Sequence, residues 1–243
     1  MTDKKSPPTS TGTGDNTNER KSGAEIKRAI KDLPYLEREV VKLRSGIGDG
    51  FIYTLEEVAH IFQVTPEQIR EAEANAMEEI IKNTTLTTEK IEGFFDSVRK
   101  EKHEMSVMRQ KTLKFLQDTK TFYLATTEDD KPRVRPFGLV VEHDDKLWFG
   151  TANTKVVFRQ LQANPFVEIS ATSSDMEWIR LSGKAVFENN IEVKQKAFEL
   201  LPMLANIYKS PDDPVFEVFY LANATVTFQS LGNYGTKPKV HKL

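Results

Sequence analysis

The chain of 243 residues contains no cysteine. This absence excludes disulfides, thiolate nucleophiles and metal sites built on cysteine sulfur. Histidine is scarce, and the four that occur, His60, His103, His143 and His241, have no metal-ligand spacing between them. His143 falls in a turn, where we expect an exposed side chain. The sequence therefore predicts no metal site.

Long apolar runs are also missing. Residues 1–22 are almost entirely Ser, Thr, Gly, Asn, Pro and charged residues, and such a segment cannot bury enough apolar surface to offset its ordering entropy. We therefore expect a disordered tail there, and neither a signal peptide nor a membrane anchor, which predicts a cytoplasmic protein with no membrane partner. The net charge of −2 gives no general attraction to nucleic acid or anionic lipid.

Two different periodicities in the remaining chain predict an α+β multidomain protein. Over residues 23–83, apolar residues recur at helical spacing, interrupted by Pro34, which predicts an all-α domain. The charged residues 84–104 are expected to form a partly helical linker. Residues 105–231 have the short, regularly spaced strands of a small β-barrel, and residues 232–243 are expected to form a C-terminal tail.

The second domain has a definite predicted order of elements. Its predicted strands cover residues 121–126, 133–141, 147–151, 166–171, 178–187 and 215–228. Two helices are predicted, over 154–163 and 191–208. The Asn164-Pro165 pair is expected to end the first of them, because proline cannot continue a helix.

Two helix-start signals stand close together in the first domain. Thr54 is followed three residues later by Glu57, and Thr65 is followed three residues later by Gln68. Each pair can form a capping box, in which side chain and backbone satisfy each other's hydrogen bonds. The two helices that these pairs begin are separated by a short turn, which is the layout of a helix-turn-helix.

Here the chain resembles region four of housekeeping bacterial sigma factors. The matching residues, in one register over about fifty positions, are Leu33-Pro34, Glu37 to Val41, Leu43-Arg44, Gly46 to Gly50, Thr54 to Val58, Phe62, Val64-Thr65, Ile69-Arg70, Glu73-Ala74 and Ala76. In that family the module places its second helix in the major groove of promoter DNA and contacts polymerase. The resemblance implies DNA or RNA polymerase as a partner, with DNA contacts from Thr65, Gln68 and Arg70.

The charge of this module departs from the sigma-factor pattern. Pro66, Gln68 and Asn75 stand where that family usually has basic residues. Between Ala24 and Asn83, eight positive residues face twelve negative ones, a net charge of −4. Phosphate neutralisation supplies most non-specific DNA affinity, so the module alone is expected to bind DNA poorly. Two alternatives stay open. One is DNA contact, with a dimer as one possible arrangement, and the other is a protein-interaction or structural module whose recognition face has drifted.

Three stretches of the second domain suit a flavin mononucleotide (FMN). Its phosphate needs cations, hydroxyls or backbone N–H groups, and its ring needs a flat apolar wall. Arg133 and Arg135 lie two residues apart and so share a strand face. Thr151 to Lys155 runs from a strand end into a helix start, a natural phosphate cradle. Trp178 to Gly183 adds an aromatic plane and another cation, Arg180.

In these stretches the chain resembles the FMN-binding split β-barrels related to pyridoxamine phosphate oxidase, especially their short bacterial members. The matching stretches are Phe122 to Thr126, Pro132 to Phe137, Leu147 to Thr151, Asn153 to Lys155, Arg159 to Pro165, Trp178 to Gly183 and the final strand. The resemblance implies a split β-barrel with flanking helices, FMN as cofactor, and a homodimer with flavin at the subunit interface. The residues that it implies for cofactor binding are Arg133, Arg135, Pro136, Phe137, Thr151, Asn153, Thr154, Lys155, Gln160, Trp178 and Arg180.

Some positions depart from that family. Lys155 stands about two residues earlier than the usual lysine, counted from Asn164-Pro165. Trp178 falls where the oxidase often has glutamine. The oxidase's C-terminal arginine and histidine motif is not evident in residues 231–243, so the resemblance does not extend to pyridoxamine-phosphate oxidase activity.

Each candidate residue also has a structural interpretation. Arg133 and Arg135 could be surface arginines paired with Glu128 or Asp129, the usual situation of an exposed charge. Phe137 and Trp178 could be core residues, and Lys155 a solvated helix residue. The agreement of all these residues with one family in one register favours the cofactor site.

Three functional hypotheses follow. The leading one is an FMN-binding redox protein, an oxidoreductase that passes electrons between a nicotinamide-type donor and an unidentified acceptor. The second is a flavin- or redox-responsive transcription regulator that acts through the helix-turn-helix. The third is a non-catalytic barrel that binds haem or a deazaflavin. No catalytic residue is assigned, because flavin chemistry needs no Ser-His-Asp or paired-carboxylate arrangement and none is readable.

Overall fold

The computed structural model describes residues 15–48, 50–233 and 235–243. These residues form two compact units. The first extends to His103, and the second runs from Glu104 to Leu243. The first is helical, and the second is a β-sheet with flanking helices, which confirms the predicted α+β class.

The predicted disordered tail is only partly covered by the described residues. Residues 1–14 lie outside them, whereas the first helix begins at Asp15. Ile26 and Ile30 of this helix are buried, and a helix fixed by its packing extends at low cost beyond the packed turns. The helix therefore includes residues 15–22, which corrects the tail predicted for that segment.

Five helices begin among the described residues of the first unit. They are α1 (Asp15–Asp32), α2 (Tyr35–Ser45), α3 (Leu55–Phe62), α4 (Pro66–Lys82) and α5 (Thr88–Thr119). Pro34 stands between α1 and α2, as its missing N–H requires. Among the described residues, none of the helices combines the length and apolar composition needed to cross a bilayer.

The predicted capping boxes begin α3 and α4. The Thr54 hydroxyl accepts from the Glu57 N–H at 3.2 Å, while the Glu57 carboxylate accepts from the Thr54 N–H at 2.7 Å. Thr65 and Gln68 exchange the same two bonds at 3.2 and 2.9 Å. Between the helices, Gln63 takes a left-handed conformation with φ of 55°, which makes the turn tight. The helix-turn-helix layout is confirmed.

Two apolar clusters hold the helical unit together. In one, Val58 and Ala59 of α3 pack against Ile69 and Ala72 of α4 and Val40 of α2. The other joins α1, α2, α4 and the first part of α5 through Ile26, Ile30, Val41, Ala76, Ile80, Ile91 and Phe95. Since buried apolar area supplies most of the stabilisation of such a unit, the first part of α5 belongs to its core. The segment expected to be a partly helical linker is therefore largely a packed helix.

The second unit is built on one antiparallel sheet. Its strands are β1 (Phe122–Glu128), β2 (Lys131–Phe137), β3 (Val140–His143), β4 (Lys146–Ala152), β5 (Phe166–Thr172), β6 (Glu177–Phe187), β7 (Phe216–Ser230) and β8 (His241–Lys242). Their order across the sheet is β2-β1-β5-β6-β7-β4-β3, and β8 pairs with β7. The helices α6 (Val156–Ala163) and α7 (Ile191–Leu200) flank this sheet, as predicted for a split barrel.

Apolar residues lie on both faces of the sheet. The barrel interior is filled by residues such as Phe122, Phe149 and Phe219. The other face of β3, β4 and β7 packs against α7 and the segment after it, through residues that include Trp148 and Phe216. The long strand β7 carries members of both clusters.

One predicted strand is divided in the structure. The sequence pattern predicts a single strand over residues 133–141, but β2 ends at Phe137 and β3 begins at Val140. The chain turns at Gly138, where a Cβ would lie 3.1 Å from the Lys120 carbonyl oxygen. The break depends on this close approach of a distant backbone, which periodicity cannot detect.

Two more boundaries differ from the prediction. The helix predicted over residues 191–208 is α7 followed by a 3₁₀ helix, Pro202–Asn206, because Pro202 has no N–H to continue α7. The expected C-terminal tail also contributes to the fold. His241 and Lys242 pair with β7, and Leu243 packs against the barrel core.

Candidate functional site

Two of the arginines predicted to bind the cofactor already have carboxylate partners. Arg133 Nε donates to Glu128 Oε2 at 2.9 Å, and Arg180 Nε donates to Glu168 Oε1 at 2.6 Å. Both pairs are substantially exposed, where ion pairs contribute little to stability. The pair of Arg133 with Glu128 agrees with the structural interpretation of Arg133 as a surface arginine paired with a nearby carboxylate. Neither arginine is free to meet a phosphate without breaking its pair.

Arg135 belongs to a polar network near the end of the barrel. Its guanidinium donates to Thr126 Oγ1 at 2.7 Å, to Gln160 Oε1 at 2.7 Å and to the Leu124 carbonyl at 3.2 Å. Thr126 in turn donates to Gln160 at 2.7 Å. Burial lowers the pKa of Arg135, whereas the nearby Glu128 carboxylate raises it. Arg135 and Gln160 thus tie α6 to β1 and β2.

The loop from β4 into α6 carries three predicted phosphate ligands, Asn153, Thr154 and Lys155, in different environments. Asn153 Nδ2 donates to the Pro214 carbonyl at 2.7 Å and to Glu217 at 3.2 Å, so it anchors the loop to the start of β7. Thr154 and Lys155 are exposed. Lys155 is the N-cap residue of α6 and makes no side-chain capping bond. The amino end of α6 is consequently open to an anion.

The Thr151 hydroxyl is buried without a hydrogen-bond partner. It is the one such side-chain atom in the described part of the chain, and the residue is 2% exposed. Thr151 lies on the face of β4 opposite to Gly150, since neighbouring strand residues point to opposite faces. A buried hydroxyl with no partner costs about 1–3 kcal/mol.

Replacing Thr151 by valine is expected to raise the free energy of unfolding by about 1 kcal/mol, because the unpartnered hydroxyl is removed and the shape is nearly kept. Thermal unfolding of the ligand-free protein measures this change as a rise of about 2–4 °C in Tm. The matched control is Thr126→Val, which removes a bonded hydroxyl and should lower Tm. A lower Tm for Thr151→Val would mean that the hydroxyl has a partner, such as an ordered water.

A cleft of about 240 Å³ opens between the β2–β3 turn, β4 and the 3₁₀ helix. Its lining residues are Pro136, Phe137, Gly138, Leu139, Gly150, Lys155, Leu201, Met203, Leu204, Ile207, Tyr208 and Phe216. Only Lys155 and Tyr208 bring polar side chains to this lining. Apolar walls with a few polar groups are characteristic of small-molecule sites.

The floor of the cleft depends on Gly150. A Cβ at this position would lie 2.6 Å from Leu139 Cδ2 and 2.9 Å from Phe216 Cε2. Both distances are far shorter than a carbon–carbon contact allows. The missing side chain therefore lets Leu139 and Phe216 meet beneath the cleft.

Trp178, the predicted aromatic wall of the cofactor site, lies outside the cleft. Trp178 is half-buried on β6, opposite Thr172 of β5 and Gln229 of β7. Arg180 shares its face, two residues along the same strand. Neither residue lines the cleft, so within one chain the structure does not bring them to Lys155.

The side chain of His143 is less exposed than the sequence predicts. Its side chain is only 10% exposed. Nδ1 lies 3.0 Å from Lys196 Nζ, and Nε2 lies 3.3 Å from an Asp144 oxygen and 3.4 Å from a Glu192 oxygen. His143 is the last residue of β3, where α7 covers the strand end, and two of these partners come from α7. The predicted exposure is wrong because the covering helix is distant in sequence.

The three residues predicted to contact DNA lie on the helix-turn-helix, but the side chains of two of them are engaged in hydrogen bonds that cap α4. Thr65 and Gln68 form the capping box of α4, and Arg70 is exposed. The other exposed charges on α4 are the carboxylates of Glu67, Glu71 and Glu78 along the helix, and Lys82 at its last residue, where it pairs with Glu79. The exposed face of this helix is therefore acidic, opposite to the basic footprint of most DNA-binding surfaces.

Residues 108–230 match the family model described as pyridoxamine 5'-phosphate oxidase, and this segment is half of the chain. The chain belongs to the pyridoxamine 5'-phosphate oxidase family. A solved structure of a NimC/NimA family protein from Clostridium acetobutylicum is 40% identical and covers 56% of this chain and 94% of that one, with a TM-score of 0.51. The General Stress Protein 26 of Bacillus anthracis is 20% identical over 56% of this chain and 98% of its own, with a TM-score of 0.46.

The N-terminal region has a different set of relatives. Over 56 residues it is 41% identical to the RNA polymerase sigma factor SigA of Nostoc sp., a match that covers 23% of this chain and 14% of the sigma factor. The SigA of Listeria monocytogenes is 39% identical over 56 residues and is covered to 15%. The chain thus spans about a seventh of the length of these sigma factors. The predicted likeness to a sigma-factor region is confirmed.

Within the pyridoxamine 5'-phosphate oxidase family barrel, the structure divides the predicted cofactor residues into groups. Pro136, Phe137 and Lys155 meet at the cleft. Arg135 and Gln160 share the half-buried polar network with Thr126. The remaining candidates are Arg133, Thr151, Asn153, Thr154, Trp178 and Arg180, and none of them lines the cleft.

Sequence reasoning missed the residues that the 3₁₀ segment brings to the cleft. Met203 and Leu204 are in the 3₁₀ helix, Leu201 and Ile207 flank it, and Tyr208 follows it. The one local signal was Pro202, which marks a break after α7. The direction in which the chain continues after that break is set by tertiary packing, so the sequence alone did not place Tyr208.

Proposed function

We propose that the barrel binds FMN in the cleft and acts as a flavin-dependent redox protein. The observation that supports this proposal most directly is the position of Lys155. It is an exposed cation at the uncapped start of α6, and it lines a cleft whose other lining side chains, apart from Tyr208, are apolar. Among the described residues, Lys155 has no ion pair or side-chain hydrogen bond.

The lining fits the two chemically different ends of FMN. The phosphate would meet Lys155 and the first backbone N–H groups of α6, where the helix dipole favours an anion. The ring would lie against apolar side chains such as Phe137, Leu139 and Phe216. When bound, FMN supplies hydride and electron transfer, which protein side chains do not provide. The chain itself binds and orients the cofactor and keeps water from the ring.

The size of the cleft argues for a second copy of the chain at the site. Its volume of about 240 Å³ is below the range of roughly 300–1,000 Å³ that is typical of small-molecule pockets. One chain would therefore cover only part of a flavin. We propose a homodimer in which the partner supplies the remaining wall.

The outer face of β2, β1 and β5 is the surface that suits this partner. Tyr123, Val134 and Phe166 are 51%, 63% and 69% exposed there. Pro136, which lines the cleft, is paired across the strands with Tyr123. Exposed apolar patches of this kind mark interaction surfaces. A second copy seated on this face would be adjacent to the cleft.

Phe166→Glu is expected to weaken self-association roughly thirtyfold, since a loss of about 1 kcal/mol per copy counts twice in a symmetric interface. Light scattering across a dilution series measures this change. Leu231→Glu is the matched control, because Leu231 is 63% exposed outside this sheet face. A wild-type protein that is monomeric at all concentrations would contradict the dimer.

The cofactor assignment is tested with the purified full-length protein. Its visible spectrum is recorded, any heat-released small molecule is identified by mass, and the stripped protein is titrated with FMN. Flavin absorption bands and a saturable FMN titration are expected. Reduction of the bound flavin by NADH under anaerobic conditions would support an oxidoreductase. Release of haem or a deazaflavin, or no response to FMN, would contradict the proposal.

A regulator is the second candidate function. Two correctly capped helices and the SigA likeness of the N-terminal region favour it. In this proposal the flavin state of the barrel alters the binding of the helical unit to RNA polymerase or promoter DNA. The acidic α4 face favours polymerase over DNA. Binding to immobilised core polymerase, compared between oxidised and reduced protein, tests it, and equal binding in both states would contradict redox control.

A further inference from the structure

Tyr208 is the second polar side chain of the cleft. It follows the 3₁₀ helix, and its ring lies 4.5 Å from that of Phe216 at an angle of 34°. The residue is 5% exposed. Its phenol oxygen has no hydrogen-bond partner among the described residues, and unlike the Thr151 hydroxyl it is not sealed from solvent. The hydroxyl therefore keeps some access to solvent, and Tyr208 is one of the residues that line the cleft.

The backbone that carries Tyr208 is fixed by a buried carboxylate. Asp213 Oδ2 accepts from the Lys209 N–H at 2.8 Å, and Oδ1 accepts from the Val215 N–H at 2.9 Å. These bonds lower the pKa of Asp213. Asp213 thus holds both ends of the loop that follows Tyr208. The Tyr208 N–H itself donates to the Leu204 carbonyl at 2.8 Å. Such support holds a binding group in place before the ligand arrives.

The phenol remains protonated at neutral pH. Burial, and to a smaller extent the Asp213 carboxylate, raise the pKa of Tyr208. The group therefore offers an O–H donor to the cleft. A ligand oxygen buried against these apolar walls would be left unsatisfied without such a donor.

We propose that Tyr208 donates a hydrogen bond to a carbonyl oxygen on the ring of the bound flavin. This inference rests on the proposed FMN site and extends it to a specific contact. The reduced ring carries more negative charge on its oxygens than the oxidised ring. A fixed donor stabilises the more negative state more strongly, so Tyr208 raises the reduction potential of the flavin in addition to binding it.

Tyr208→Phe tests the contact, because it keeps the aromatic ring and removes only the hydroxyl. The variant is expected to bind FMN about three- to tenfold more weakly, from the usual value of one hydrogen bond. The absorption bands of the bound flavin should shift, and its midpoint potential should become more negative. Tyr220→Phe is the matched control, since Tyr220 lies on β7 outside the cleft.

A second measurement requires no loss of the hydroxyl. When tyrosines are replaced by 3-fluorotyrosine, the fluorine resonance that is missing in Tyr208→Phe should move on addition of FMN. An unmoved resonance, or Tyr208→Phe with wild-type affinity, spectrum and potential, would overturn the contact. An equal effect of Tyr220→Phe would overturn its specificity. Failure of the wild-type protein to bind FMN at all would overturn the proposed cofactor site, and this inference with it.

Discussion

Lys155→Ala is expected to weaken FMN binding about 100-fold. A charge-assisted hydrogen bond contributes about 1.5–3 kcal/mol, and every 1.4 kcal/mol is a factor of ten. The lysine stands at the uncapped start of α6, so its loss also removes the cation that reinforces the helix dipole at the phosphate. Quenching of flavin fluorescence during titration of the stripped protein measures the dissociation constant.

Riboflavin makes this test specific, because it has the flavin ring but no phosphate. Lys155→Ala should leave riboflavin affinity unchanged, whereas FMN affinity should fall toward that of riboflavin but stay above it, because the backbone N–H groups of α6 still meet the phosphate. Lys114→Ala is the control for net charge, since that side chain is 77% exposed and paired with Asp118. A parallel loss for riboflavin, or an equal effect of Lys114→Ala, would show that Lys155 does not meet the phosphate.

Reversing three charges on α4 is expected to create DNA affinity where the natural chain has little. Glu67, Glu71 and Glu78 are exposed on the helix that would face the major groove. In Glu67→Lys/Glu71→Lys/Glu78→Lys, removal of three repulsive charges and addition of three cations should raise affinity for a non-specific duplex about 1,000-fold at 50 mM salt. Fluorescence anisotropy at several salt concentrations should give a slope steeper by up to about 2.7, from 0.9 per phosphate neutralised.

The corresponding triple glutamine variant separates two explanations of any gain. It removes the repulsion without adding cations, so its affinity should rise only slightly and its salt slope should hardly change. Tight DNA binding by the natural chain would contradict the expectation. No gain in the lysine variant would mean that α4 does not reach the duplex, in which case a protein partner becomes the better explanation of the sigma-like unit.

The sequence predicted those elements whose signals are local. Thr54 with Glu57, and Thr65 with Gln68, form the capping boxes expected from their spacing. The start of α6 after Lys155 could be found for a similar reason, because a strand end runs directly into helical periodicity and Asn164-Pro165 marks the end. In each case the stabilising hydrogen bonds connect residues that are close in sequence.

The candidate site depended on contacts between distant residues and was predicted only in part. Arg135 was identified as a site residue, but its hydrogen-bond partners on β1 and α6 make it part of a half-buried structural network. Tyr208 was missed because the turn after Pro202 is fixed by packing against β4 and β7. No local pattern distinguishes a tyrosine that reaches a cleft from one that lies on the surface.

Strand β7 couples the unfolding of the two apolar clusters of the second unit, because it contributes residues to both. Phe219, Leu221 and Val226 of this strand belong to the interior, whereas Phe216 and Val218 pack beneath α7. Detaching the strand from either cluster would expose both, so neither can melt while the other stays intact. We therefore expect local openings of the sheet at its margins, and we expect the amides in the centre of β7 to exchange with solvent only when the whole barrel unfolds cooperatively.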